Sequence, residues 1–140
     1  MIVFQKKIII EEGATAHSSP IVTLNTGPKY KIGVLAQFLH EQIHWIENGR
    51  EQEMVEAIGE LKIIYPNAPI GRPEGGVNEK STYRHLIICR LEFLALTELL
   101  GLEKAKEVVL KNSNYTWIRE ILIKEGEKID VIIHRYNFNI

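Results

Sequence analysis

Apolar positions change their spacing along the chain, and each spacing predicts an element. Residues 2–10 (IVFQKKIII) are rich in Ile and Val and predict a strand. PIVTLN, residues 20–25, is a short β-branched run between Pro20 and the turn signal NTGP at 25–28, and a proline at its start suits an edge strand. From about Lys31 to Glu47 the period becomes helical, with Leu35, Phe38, Leu39, Ile43 and Ile46 on one arc and Gly49 as the stop. EQEMVEAIGELKII, 51–64, predicts a second amphipathic helix, weakened by Gly59. Residues 65–79 hold three prolines and three glycines and predict a loop, long enough for a compact domain to suggest a functional one. STYRHLIICRLEFLALTELLG, 81–101, is a strongly apolar helix bracketed by Ser81 as N-cap and Gly101 as C-cap. EKAKEVVLK is a short surface helix, and YTWIREILIKEGEKIDVIIHRY is one helix or two broken at Gly126. A few strands followed by helices predict an α+β domain with the helices segregated from a small sheet.

Composition narrows this without redirecting it. A chain of 140 residues predicts one domain over 1–140, large enough to bury a core without staples. Apolar residues at 45% and charged residues at 25% are ordinary for a soluble globular protein. A net charge of −1 gives no electrostatic case for nucleic acid or an anionic membrane, so neither is an expected partner. Cys89 is the only cysteine, which excludes an internal disulfide and a cysteine-only metal site and is compatible with a reducing cytoplasm, the expected compartment. The N-terminal apolar run is broken by Gln5, Lys6 and Lys7 and reads as neither a secretion signal nor a membrane span.

The chemistry concentrates in GVLAQFLHEQIHWIEN, 33–48. His40 and His44 lie four apart, one turn above each other on a helix, so both imidazoles can reach one metal ion. Glu41 is displaced by about 100° round the helix, placed to take a proton from water at that metal rather than to ligate it. Gly33, Ala36, Gln37, His40, His44 and Glu47 share a face opposite the apolar arc, which predicts a cleft. The competing reading is a surface helix with two solvated histidines.

A catalytic zinc takes three protein ligands and a water. The extended form of the motif needs glycine at 47 and His or Asp at 50; Glu47 and Arg50 stand there. Glu92 falls near the middle of the apolar arc of the 81–101 helix, where a carboxylate must be paired or bind a metal. Ligation is preferred; the alternative is an ion pair with an arginine or lysine from another segment. His85 shares the face of Glu92 and is either an oxyanion- or substrate-binding group or a satisfied core histidine. Cys89, one turn from Glu92, reads as a small buried hydrophobe.

With HEQIH at 40–44 and EFLA at 92–95 on a later helix, the chain resembles the gluzincin metallopeptidases, above all very small single-domain members. The resemblance covers about residues 20–101. It implies a zincin-like fold, in which a small N-terminal sheet with an edge strand packs on the helices bearing the two motifs. It implies one Zn²⁺ held by His40, His44 and Glu92, with Glu41 as general base and a peptide or protein substrate. It also implies that the edge strand, here PIVTLN, aligns substrate backbone by strand addition. Leu96 stands where several members carry an aspartate supporting the first histidine. A C-terminal His or Tyr facing the oxyanion is also implied; Tyr83, His85, Tyr115, His134 and Tyr136 qualify by type, and His134 is the expected one. A zinc-binding interaction module, non-catalytic or latent, remains the alternative, as does a metal-free helical protein that dimerises through its apolar helices. The sequence leaves the oligomeric state open.

Overall fold

The computed structural model describes residues 7–25 and 31–138, without the side chain of Lys31. Its elements are strands β1 (Ile8–Glu11) and β2 (Val22–Asn25) and helices α1 (Lys31–Ile43), α2 (Glu51–Ile64), α3 (Glu79–Leu100), α4 (Leu102–Leu110), α5 (Thr116–Lys124) and α6 (Gly126–Arg135). This is an α+β domain with a two-stranded sheet and six helices among the described residues. No described helix is long and apolar enough to cross a membrane. The first strand is shorter than its apolar run predicts, and residues 2–6 of that run lie outside the described residues.

α3 organises the helices. It is buried on nearly every side, as a helix apolar all round should be, and α1, α2, α4, α5 and α6 pack against it. Its N-cap is Asn78, not Ser81: the Asn78 side chain accepts from Ser81 N at 2.8 Å, which starts the helix three residues earlier than predicted. Gly101 ends it with φ +82°, a conformation costly for a residue with a Cβ. The C-terminal run is two helices. Gly126 opens α6 where a Cβ would come within 2.4 Å of the Arg90 guanidinium, which donates to Asp130 at 2.6 and 2.8 Å. Beyond α6, Phe138 is fully buried, with Arg50 4.8 Å over its ring.

The sheet pairs β1 and β2 in parallel, from Ile8 against Val22 to Glu11 against Asn25. β2 is the buried strand and packs on α1; β1 is exposed along its length. The expectation of an open edge on PIVTLN is not met. On the side away from β1, Thr23 exchanges both backbone hydrogen bonds with His17, at 2.8 and 3.2 Å, and Asn25 N donates to Gln37 Oε1 at 3.2 Å. The chain's own residues occupy the row of groups that a substrate strand would use.

Candidate metal centre

α1 ends at Ile43, and His44–Glu47 continue it as a 3-10 turn, so the two histidines straddle the change in pitch while keeping their one-turn spacing. The face predicted to line a cleft does so: Gly33, Ala36, Gln37, His40 and His44 all border one. Of the predicted apolar arc, Ile43 and Ile46 are buried, while Leu35, Phe38 and Leu39 are only partly covered.

His40 meets Glu92 through its Nδ1 edge, at 2.8 Å from Oε2. Through its Nε2 edge it meets His44 Nε2 at 3.2 Å. His85 completes the group: one ring nitrogen from each of His40, His44 and His85 lies within 4.8 Å of the others. His85 is anchored like His40, its Nδ1 donating to Ser81 O at 2.7 Å. In both rings a hydrogen bond from Nδ1 leaves Nε2 for a ligand, the arrangement that fixes the tautomer of a metal-binding histidine. His44 Nδ1, on the opposite edge of that ring, is buried without a hydrogen-bond partner among the described residues.

Glu92 is 1% exposed and carries two neighbours of opposite character. Besides His40 it faces Arg119 of α5, whose Nη1 and Nη2 lie 3.3 and 3.5 Å from its oxygens. The ion pair weighed from sequence is therefore present, and Arg119 is its cation. A second group capable of holding a metal, His40, Cys89 and Glu92, lies on the Nδ1 edge. A single ion cannot use both edges of His40. Residues His40, His44 and Glu92 thus do not converge on one point; the histidines converge with His85, and Glu92 stands behind His40.

Electrostatics follow this arrangement. Burial lowers the pKa of His40, but hydrogen bonds to Cys89 and Glu92 outweigh it and raise it to about 10. His40 is thereby favoured in its charged form, with its Nε2 beside that of His44. Burial and that neighbouring charge bring His44 down to about 2 and His85 to about 3, which keeps both neutral. Glu92 is held at about 2 because Arg119 and His40 overcome the cost of its burial. Glu41, also buried, has its pKa raised by desolvation, opposed by His40 and His17.

These groups line a cleft of about 740 Å³, floored by α1 and α3 and walled by the 14–18 segment, Arg72 and the start of α5. Of the residues considered for the oxyanion, His85 and Tyr115 line it. Tyr115 takes a left-handed conformation, φ +60°, and stacks on His85 at 4.3 Å. His134, the expected one, is exposed on α6, bonds to Asp130 O and does not line the cleft. Tyr83 and Tyr136 are spent on Tyr65 O and Glu60. Glu47, expected on the cleft face, pairs with Arg84 at the cleft edge. Sequence reasoning named Tyr115 only as one of five candidates by type and missed Arg119 and His17. Only Arg119 left a signal, as a charge between the core residues Ile118 and Leu122. No protein-family model, curated protein or solved structure matches the chain.

Proposed function

We propose that the protein is a zinc-dependent peptidase in which His40, His44 and His85 hold one Zn²⁺, Glu92 orients His40 and Glu41 is the general base. The observation that carries the reading is the convergence of three imidazoles beside a buried carboxylate in a cleft. The donors fit the ion: Zn–N bonds of 2.0–2.1 Å in a tetrahedron separate ligand atoms by about 3.3 Å, against 3.2 Å between the Nε2 atoms of His40 and His44. The three imidazoles would hold the ion once His40 gives up its Nε2 proton, and the cleft would leave it open to a water.

Zinc held there supplies a Lewis acid that lowers the pKa of a water toward ~7 and polarises a carbonyl. Glu41 follows His40 directly and takes a proton from the attacking water as the new C–O bond forms. It then delivers that proton to the departing amine as the C–N bond breaks. Desolvation raises the proton affinity of Glu41, which suits a group that must accept and release a proton near neutrality. His85 and Tyr115 stack along one wall of the cleft. The fold is in this reading zincin-like in function, with a His rather than a Glu as third ligand.

The test is zinc content and peptide cleavage measured together. Wild type is expected to bind about one zinc per chain and to cleave members of a mixed peptide library. Glu41→Gln keeps the zinc and loses ~10²–10⁴-fold in kcat. His85→Ala loses the zinc. If Glu41→Gln cleaves as fast as wild type, or wild type carries no zinc, the proposal falls; if Glu92→Ala loses zinc while His85→Ala keeps it, Glu92 is the ligand.

The occupied outer edge of β2 favours a second reading, a latent zinc protein. It predicts one zinc per chain with no cleavage until the His17 segment is displaced. Cleavage by the intact wild-type chain excludes it.

A further inference from the structure

The 65–78 loop is a built platform. Thr82 Oγ1 donates to Pro69 O at 3.0 Å and accepts from Gly76 N at 2.9 Å, tying the loop to the start of α3. Thr116 N donates to Pro73 O at 3.0 Å, tying it to the start of α5. The loop is also closed on itself, Gly71 N donating to Gly76 O at 2.7 Å. Between these anchors Arg72 reaches the cleft mouth. Its Nη1 donates to Asn114 Oδ1 at 2.8 Å, and its guanidinium lies 5.2 Å from the centre of the Tyr115 ring.

The other described Lys and Arg side chains lining the cleft face carboxylates: Arg84 meets Glu47, Lys104 and Lys111 meet Glu107, and Arg119 meets Glu92. Arg72 meets none among the described residues. It is also the outer layer of a stack that runs inward from Arg72 over Tyr115 to His85, with ring separations of 4.3 Å and, from His85 to His40, 5.5 Å. The left-handed backbone of Tyr115 holds the ring in that stack, between the guanidinium and a zinc-holding histidine.

We propose that Arg72 receives a carboxylate of the substrate, which gives this site its specificity. An extended peptide advances ~3.3–3.6 Å per residue, and Arg72 is set off from His85 by the whole Tyr115 ring, so a carboxylate on Arg72 lies about three residues or more along the peptide from the bond at the histidines. The guanidinium fork pairs with a carboxylate in a bidentate geometry that an ammonium does not reproduce. The carboxylate is either the C-terminus of a short peptide or an Asp or Glu side chain in a longer one. This inference rests on the peptidase reading for its purpose and not for its test.

The experiment measures binding by the zinc-loaded Glu41→Gln variant, so that turnover plays no part. Fluorescein-labelled pentapeptide libraries are compared in two arms: free-acid against amidated C-termini, and amidated libraries with Asp and Glu against Asn and Gln. About a ten- to hundredfold tighter binding of the carboxylate member is expected in one arm, and that arm names the source. Adding Arg72→Gln is expected to bring the ratio to near one, and Arg72→Lys to retain part of it. Equal binding of both members in both arms, or a preference that survives Arg72→Gln, overturns the proposal. An Arg72-dependent preference in a protein that cleaves no peptide leaves this inference standing and removes the peptidase reading.

Discussion

α3 has two buried faces made from opposite materials. One carries Tyr83, Ile87 and Leu91, all at most 3% exposed, and ties to α2 through Tyr83 and to α6 through Arg90. The other carries His85, Cys89 and Glu92 against α1 and α5. Both are as dry as each other, yet only the first gains from being dry. Burying an apolar side chain stabilises a domain by about 1.5–3 kcal/mol, whereas a buried charge costs several kcal/mol that a good partner only offsets. Glu92, Arg119 and His40 therefore form a unit whose geometry is costly to hold and whose return is the placement of His40. One face of the helix makes the fold; the other uses the stability so gained to position a cluster of imidazoles.

Three substitutions separate the faces. Arg119→Met leaves the buried Glu92 carboxylate without its guanidinium and is expected to cost about 3–5 kcal/mol in urea unfolding of metal-free protein. Adding Glu92→Gln to that variant should recover part of the loss, and no recovery means the two do not act as a pair. Next, Ile87→Ala creates a void on the apolar face, expected to cost about 2–5 kcal/mol while zinc content per folded chain stays at the wild-type value. A fall in zinc there means the two faces are coupled more tightly than their chemistry suggests. The smallest effect is that of Glu92→Gln alone, which keeps a hydrogen-bond acceptor for His40 but removes the charge. Zinc affinity should weaken by about 10–100-fold, read by competition with a chelator, with the zinc still held. Complete loss of zinc would make Glu92 a ligand rather than a support.

The helices were largely legible because each carries its own signal. The α2 boundaries follow from amphipathic spacing, and Gly101 marks the end of α3 through the backbone conformation it alone takes cheaply. The HEQIH motif announced His40, Glu41 and His44, since one helical turn is a local distance. Glu92 announced itself as a charge among core residues, but periodicity says only that such a group has a partner, not which one. Its partners, Arg119 27 residues away and His40 52 residues away, were beyond any local pattern. The same limit hid the His17 contact on β2 and the position of Tyr115.

By itself, then, the sequence determined the α+β class, the element order, the pair of imidazoles one turn apart and the need for something to neutralise Glu92. Each of these depends on spacing within one element or on the free energy of a single side chain. Only the tertiary structure decided that His85 joins the two histidines, that Glu92 and Arg119 stand behind them, and that Arg72 faces the cleft without a carboxylate. Those outcomes depend on how α1, α3, α5 and the 65–78 loop pack, and packing is set by the summed fit of many distant side chains rather than by any one stretch of chain.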